Sequence, residues 1–115
     1  MIIDWEKVEI YIKPGPTDMR KQINGLSVIV ESEMRKPLFS GNLFLFCNRR
    51  KRLLKVLYWD KTGFCLWQKR LEKHRFPWPG TEEEARGISF ERFKMLLAGI
   101  DFWNAHEELH YEKIG

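Results

Sequence analysis

The stretch of sequence that decides the fold is residues 43–71, which read LFLFCNRRKRLLKVLYWDKTGFCLWQKRL. It contains three short apolar runs, rich in aromatic and branched residues and separated by polar turns, at residues 43–47, 53–59 and 64–71. Residues 60–63 suit a tight turn with glycine at a position of positive φ. This pattern is typical of an antiparallel meander, so the stretch predicts the centre of an antiparallel sheet.

The residues before the meander predict a strand and a helix. Residues 8–12 alternate apolar and polar side chains, as a half-buried strand does, and Pro14-Gly15-Pro16 ends the run. A helix is then expected over about residues 18–34, with Thr17 as its N-cap. Its apolar residues recur every three or four positions and would share a buried face: Met19, Ile23, Leu26, Val30 and Met34.

The residues after the meander predict a second, shorter helix. An acidic loop is expected over residues 81–87, followed by a helix over about 90–98 with Ser89 as its cap and Gly99 as its stop. The expected fold is therefore α+β. A three- to four-stranded antiparallel sheet packs on the main helix, and the second helix closes one edge of the sheet.

Length and composition limit the class of protein. The chain has 115 residues, of which 43% are hydrophobic and 31% charged, which fits one folded domain. We expect that domain over residues 1–103, with an acidic and aromatic tail over 104–115 that could form a further helix. No apolar run reaches the roughly 20 residues of a membrane helix, and no secretion signal opens the chain. These features predict a cytoplasmic protein without membrane contact, with Cys47 and Cys65 reduced.

Positive charge is concentrated in the middle of the chain. Residues 49–75 carry ten lysines and arginines against two acidic residues, whereas the segments on either side carry no positive excess. Such a cluster predicts a polyanionic partner, DNA above all, although a solubilising charge cluster on an exposed turn remains the alternative. The residues expected to contact DNA are Arg49, Arg50, Lys51, Arg52, Lys55, Lys69, Arg70 and Arg75.

Aromatic residues accompany the basic stretch. Tyr58 and Phe64 are expected in the core of the meander, although exposed aromatic side chains could instead stack on unpaired bases. Trp78 lies between two prolines and is expected to be exposed, as an anchor for a protein partner.

No catalytic site, metal site, cofactor or small-molecule substrate is expected. Residues 106–110 read HEELH and match a zinc-protease pattern, but five residues remain after it and no second domain could form a substrate cleft. Cys47 and Cys65 do not form a C-x-x-C pair, so a structural zinc site has little support. The four aspartates do not suit the carboxylate set of a transposase, and the chain is too short for that fold. The sequence therefore predicts a protein that is not an enzyme.

Four motifs resemble one family of proteins from bacterial mobile elements. They are PTDMRK followed by INGL at residues 16–26, FSGNLFLF at 39–46, LYWDKTGFCL at 57–66, and KRLE with RFPWP at 69–79. The segment over about residues 13–103 is similar to the second-open-reading-frame accessory proteins, called TnpB, of the insertion-sequence-66 family. At Cys47 and Asn48 that family more often has arginine and glycine.

The resemblance implies a non-catalytic factor that assists a separate transposase encoded beside it. DNA and that transposase are the implied partners. The basic turn would contact DNA; the alternative is an adaptor that binds the transposase without touching DNA. The family contributes no catalytic residues that could be assigned to positions in this sequence.

Overall fold

The structure is a computed structural model that describes residues 3–80 and 86–100. Its elements are β1 (Ile10–Ile12), α1 (Ile23–Ile29), a π-helical turn (Val30–Met34), β2 (Leu43–Cys47), β3 (Leu53–Asp60), β4 (Gly63–Arg70), β5 (Arg86–Ile88) and α2 (Phe90–Leu97). The α+β class and the meander β2–β3–β4 are confirmed. The expected tail from residue 104 and the boundary before it lie outside the described residues.

The sheet differs from the expected one in strand number and direction. It has five strands in the order β4-β3-β2-β1-β5, and β1 runs parallel to β2. The parallel direction of β1 and β2 follows from α1, which lies between them in sequence. The helix returns the chain to the end of the sheet at which β1 begins, so β2 starts at that same end. β5 pairs antiparallel with β1 and overlaps the end of the acidic loop expected over residues 81–87; its three residues, Arg86 to Ile88, are too few to show a strand pattern.

Both faces of the sheet are covered by helices. Side chains of alternate strand residues point to opposite faces. One set, including Leu45, Val56 and Tyr58, packs with Phe93 and Leu96 of α2. The other set packs against α1 and the turn after it: Phe44, Phe46 and Leu57 meet Leu26, Val30 and Met34. The expectation that the second helix closes an edge is therefore wrong, because α2 covers the face opposite α1.

The main helix starts later than expected. Residues 18–21 form a turn in which the Lys21 N–H donates to the Asp18 carbonyl at 3.1 Å, and α1 begins only at Ile23. Thr17 is not an N-cap. It is buried, its N–H donates to the Cys47 carbonyl at 2.8 Å, and its hydroxyl has no hydrogen-bond partner among the described residues. Contact with β2, a long-range effect, has overridden the local capping signal.

The second helix is confirmed at its start. The Ser89 hydroxyl accepts the Arg92 N–H at 3.2 Å, which satisfies a free donor of the first turn. Gly99 follows the helix with φ of 77°, a conformation that suits glycine at a helix end. No helix in the described part of the chain is long and apolar enough to span a membrane.

The turn between β3 and β4 places positive φ at a different residue from the one expected. Lys61 has φ of 46°, whereas Gly63 is not among the positive-φ glycines. A hairpin turn with positive φ at its first central residue favours glycine there.

We expect Lys61→Gly to raise the free energy of unfolding by about 1 kcal/mol, measured by urea denaturation. Thr62→Gly is the control and should not stabilise the protein. Equal effects of the two changes would contradict this explanation of the turn.

Candidate nucleic-acid interface

Three loops meet at one end of the sheet. Strands β1, β2 and β4 all finish at this end, where they lead into residues 13–22, 48–52 and 71–80. Backbone hydrogen bonds join the loops. The Thr17 N–H donates to the Cys47 carbonyl at the end of β2 (2.8 Å), and the Phe76 N–H donates to the Lys51 carbonyl (2.7 Å). We call these three segments together the basic end.

The basic end carries most of the uncompensated positive charge among the described loops. Its three segments hold nine lysines and arginines against two acidic residues, Asp18 and Glu72. Both acids have a cationic partner, since Arg20 contacts Asp18 at 2.7 Å and Arg70 contacts Glu72 at 2.9 Å. The hydrogen bonds from Arg20 hold the pKa of the Asp18 carboxyl at about 2, so it is ionised at neutral pH. The loops at the opposite end, residues 3–9, 35–42 and 61–62, hold four basic and three acidic residues.

The β2–β3 turn has a defined backbone and exposed side chains. The Asn48 side-chain oxygen accepts the N–H groups of Arg52 at 3.0 Å and Leu53 at 3.1 Å. Lys51 takes a left-handed conformation with φ of 61°, and its N–H donates to the Asn48 carbonyl. The turn is thus held by its own asparagine, and the neighbouring cationic side chains extend into solvent.

Five of the eight residues predicted to contact DNA lie together at this end. Arg49, Arg50, Lys51 and Arg75 are exposed, and none has a side-chain hydrogen bond or ion pair within the described residues. The fifth, Arg52, is exposed and donates to the Glu72 carbonyl at 3.3 Å, which links the turn to the loop after β4.

Lys55 is buried and does not belong to the exposed surface. Its residue is 2% exposed, and its ammonium group donates to the carbonyls of Met19 (2.8 Å) and Lys21 (2.9 Å). Burial lowers the pKa of this amine. The expectation that Lys55 extends the basic surface along the sheet is therefore wrong, because its amine ties the loop before α1 to β3.

Lys69 and Arg70 do not share a face with each other. Lys69 lies opposite Leu54 and Arg70 opposite Leu53, so their side chains point to different sides of the sheet. The Lys69 amine donates to the Leu97 carbonyl at the end of α2, at 2.7 Å. Arg70 is exposed and paired with Glu72. Of these two residues, Arg70 therefore lies beside the basic end with its charged group exposed, and Lys69 does not.

Trp78 is buried, contrary to the prediction that it is exposed. It is 7% exposed and packs in the cluster with Phe76, and its indole N–H donates to the Lys13 carbonyl at 2.9 Å. The flanking prolines are buried too. Trp78 thus fastens the loop after β4 to the loop after β1, and in this structure it cannot serve as an exposed anchor.

The other aromatic residues are core residues or lie away from the basic end. Tyr58 is buried, as predicted. Phe64 is partly buried and forms a ring cluster with Trp59 and Phe39, centred 4.9 Å and 5.5 Å away, near the opposite end of the sheet. Within the three basic segments, no Phe, Tyr or Trp side chain is exposed; the exposed ring there is the imidazole of His74.

Four cations at the basic end were not predicted from the sequence: Lys13, Arg20, Lys21 and Lys73. Of these, Arg20, Lys21 and Lys73 are exposed, and Arg20 is paired with Asp18. Lys73 stands within the basic stretch and could have been included from its position alone. The other three reach this end because β1 runs parallel to β2, which no local pattern indicates.

The described residues offer no evident chemical centre. No group of three or more histidine, cysteine, aspartate or glutamate side chains suited to a metal ion occurs among them. Burial raises the pKa of the Cys47 thiol to about 12, so this cysteine is a poor nucleophile. Cys47 and Cys65 do not form a disulfide, and residues 106–110 lie outside the described residues.

Fold and charge together define a small α+β protein with one strongly cationic end. Comparison with known proteins then gives its family: the chain belongs to the family described as IS66 Orf2-like proteins, which matches residues 8–107. Membership assigns it an accessory role in the transposition of insertion sequences; the family is not known to be catalytic. The resemblance drawn from the four motifs is confirmed.

Two similar proteins come from Sinorhizobium fredii (strain NBRC 101917 / NGR234). The chain is 37% identical over 115 residues, the whole of both chains, to the protein named uncharacterized protein y4hO. It is 34% identical over 95 residues to uncharacterized protein y4jC, which covers 83% of this chain and 81% of the relative. No solved structure matches the chain.

Proposed function

We propose that this protein assists transposition by binding the phosphate backbone of duplex DNA at its basic end. The observation that supports this most directly is the meeting of three loops from distant parts of the chain, which bring nine basic residues to one end of the sheet. Contacts between cations and DNA phosphates release condensed counterions and supply most of the sequence-independent affinity.

The kind of nucleic acid follows from what this end presents. Proteins that hold single strands combine cations with exposed aromatic platforms. Here Phe76 and Trp78, the two large aromatic residues of the three segments, are buried at 1% and 7% exposure, and the exposed ring is the small imidazole of His74. Arginine and lysine remain, as suits the regularly spaced phosphates of a duplex. The proposed contact residues are Arg49, Arg50, Lys51, Arg52 and Arg75, with Lys21 and Lys73 beside them.

The proposal places the protein in the cytoplasm, where element DNA and its transposase meet. The transposase is the proposed protein partner, and the alternative is an adaptor that meets an acidic transposase surface without contacting DNA. The same cations would serve either role. The two are separated by measuring DNA affinity in the absence of transposase.

The test is the salt dependence of binding to a labelled duplex carrying the terminal repeat of the element, followed by fluorescence anisotropy. We expect the association constant to fall steeply with salt. In Arg49→Gln/Arg50→Gln/Arg75→Gln the log–log slope should flatten by about 0.9 for each phosphate that is no longer neutralised. A single-stranded version of the repeat should bind more weakly than the duplex.

The matched control removes the same number of charges from the opposite end of the sheet. Lys7→Gln/Arg35→Gln/Lys61→Gln lowers the net charge equally, so a response to total charge alone would flatten both slopes alike. We expect this control to retain most of the native slope. Absence of duplex binding at low salt would reject DNA binding and favour the adaptor, which capture of the purified transposase would then test.

A further inference from the structure

Strand β4 forms an outer edge of the sheet and is long and regular. Its eight residues pair with β3 in an unbroken register from Asp60–Gly63 to Leu53–Arg70, so it contains no bulge. It also contains no proline, and its only charged residues are Lys69 and Arg70 at one end. Proteins usually protect an edge strand with bulges, prolines or charged side chains, because an unprotected edge can pair with a strand of another molecule.

The backbone groups that face outward on β4 can be assigned from one hydrogen bond at the end of the strand. The Leu71 N–H donates to the Arg52 carbonyl at 2.8 Å, which turns the odd-numbered residues of this strand toward β3. Even-numbered residues therefore turn their N–H and C=O groups outward. Among the described residues, no backbone or side-chain hydrogen bond reaches the outward backbone groups of Leu66 and Gln68.

Trp67 lies at the middle of the exposed part of this edge. It is 43% exposed, although large aromatic side chains are usually well buried. Its ring borders an apolar groove on the α2 face of the sheet, formed with residues that include Trp5, Phe93 and Leu97. In the described part of the chain, the edge thus combines backbone groups without hydrogen-bond partners and an incompletely covered tryptophan.

We propose that the β4 strands of two copies of this chain pair antiparallel about a twofold axis at Trp67. Side chains of residues that lie opposite each other in a sheet point to the same face. For each face of one sheet to continue into the same face of the other, odd-numbered residues must therefore pair with odd-numbered ones and even with even. A twofold axis at Trp67 meets this condition. Leu66 then pairs with Gln68 of the second copy through the outward backbone groups. The two Trp67 residues face each other at a non-hydrogen-bonded position, where cross-strand side chains come closest and aromatic pairs stabilise a sheet.

Charge favours this arrangement between copies. Antiparallel pairing sets Arg70 beside Phe64 of the second copy, where a guanidinium group can lie against an aromatic ring. Lys69 and Arg70 of the two chains are kept apart. A parallel arrangement would instead bring these cations, and the two basic ends, side by side, and like charges opposite one another destabilise a sheet.

The dimer joins the two sheets into one of ten strands. Because the two β4 strands run in opposite directions, the basic ends lie at opposite ends of the combined sheet. If the proposed DNA binding holds, one dimer presents two separate duplex-binding ends. Dimer formation itself does not depend on that proposal and is measured without DNA.

Sedimentation equilibrium of the full chain across a concentration series tests the dimer. We expect a mass approaching twice the 13.9 kDa of one chain. Gln68→Pro removes an outward N–H without removing a bond to β3 and should shift the equilibrium to monomer. Trp67→Lys places two like charges at the axis and should do the same. Circular dichroism identifies variants that remain folded, and Trp67→Lys decides the question if Gln68→Pro does not fold.

Disulfide trapping tests the register. In a Cys65→Ser background, Trp67→Cys should give a covalent dimer on mild oxidation, because residues at a non-hydrogen-bonded pair lie about 4.5 Å apart at Cα, within the range of a disulfide. Val28→Cys in the same background is the control, since Val28 is 61% exposed and belongs to α1, not to the paired strand. A monomer at every concentration, or a dimer unchanged in Trp67→Lys, would overturn the proposal.

Discussion

Replacing Trp78 with alanine should lower the free energy of unfolding by about 3–5 kcal/mol, the usual cost of emptying a large aromatic site in a core. Trp78 is 7% exposed, packs in the α2-side core, and donates its indole N–H to the Lys13 carbonyl. The loss has two physical parts: the cavity left by the ring, and a backbone acceptor left without its donor. Urea denaturation monitored by circular dichroism measures the change.

Trp78→Phe separates the two contributions. Phenylalanine keeps much of the packing but lacks the N–H donor, so the cost should be lower than for alanine. Phe39→Ala is the matched aromatic control: Phe39 is 63% exposed and loses only its ring contacts with Trp59 and Phe64, so it should cost much less than Trp78→Ala. A small effect of Trp78→Ala on stability, together with a loss of transposase binding, would restore the interpretation of this residue as an exposed anchor.

Replacing Lys55 with methionine should destabilise the protein by about 1–3 kcal/mol and release the loop before α1. Methionine keeps an unbranched stem of similar length but cannot donate to the carbonyls of Met19 and Lys21. Part of this loss of stability is offset, because the variant no longer has to bury the charged ammonium group of Lys55. The expected local consequence is faster trypsin cleavage after Arg20 and Lys21 under native conditions.

Lys69→Met provides the control for this prediction. Its amine donates to one carbonyl, that of Leu97, and lies on the other face of the sheet. It should leave cleavage at Arg20 and Lys21 unchanged. If Lys55→Met instead alters duplex binding without changing stability or cleavage, Lys55 contacts DNA and the description of it as a structural residue fails.

The first helix shows how far local sequence patterns could lead. Its apolar spacing correctly predicted the buried face that holds Leu26, Val30 and Met34. The same reasoning placed the start at Thr17, because a threonine before an aspartate is a good local capping signal. In the structure Thr17 is held by β2, and residues 19–21 are held by Lys55. Both contacts join residues about 30 or more positions apart.

At the candidate site, too, local sequence indicated the position of some charged residues, and long-range contacts decided that of others. The composition of residues 49–52 was enough to indicate an exposed cationic turn, because four adjacent cations cannot be buried at acceptable cost. A lone lysine within an apolar strand, such as Lys55, gives no such indication. Whether it is exposed depends on the neighbouring strand and on which carbonyls lie within its reach.

The sequence by itself determined the meander, the second helix, the family and the excess of positive charge. These depend on local periodicity, turn chemistry and composition, which act over a few residues. The tertiary structure alone decided that β1 runs parallel to β2, that α1 and α2 cover opposite faces, and that three loops form the basic end. It also decided that Lys55 and Trp78 are buried. Each of these depends on which distant residues become neighbours, and that is set by the packing of the whole sheet.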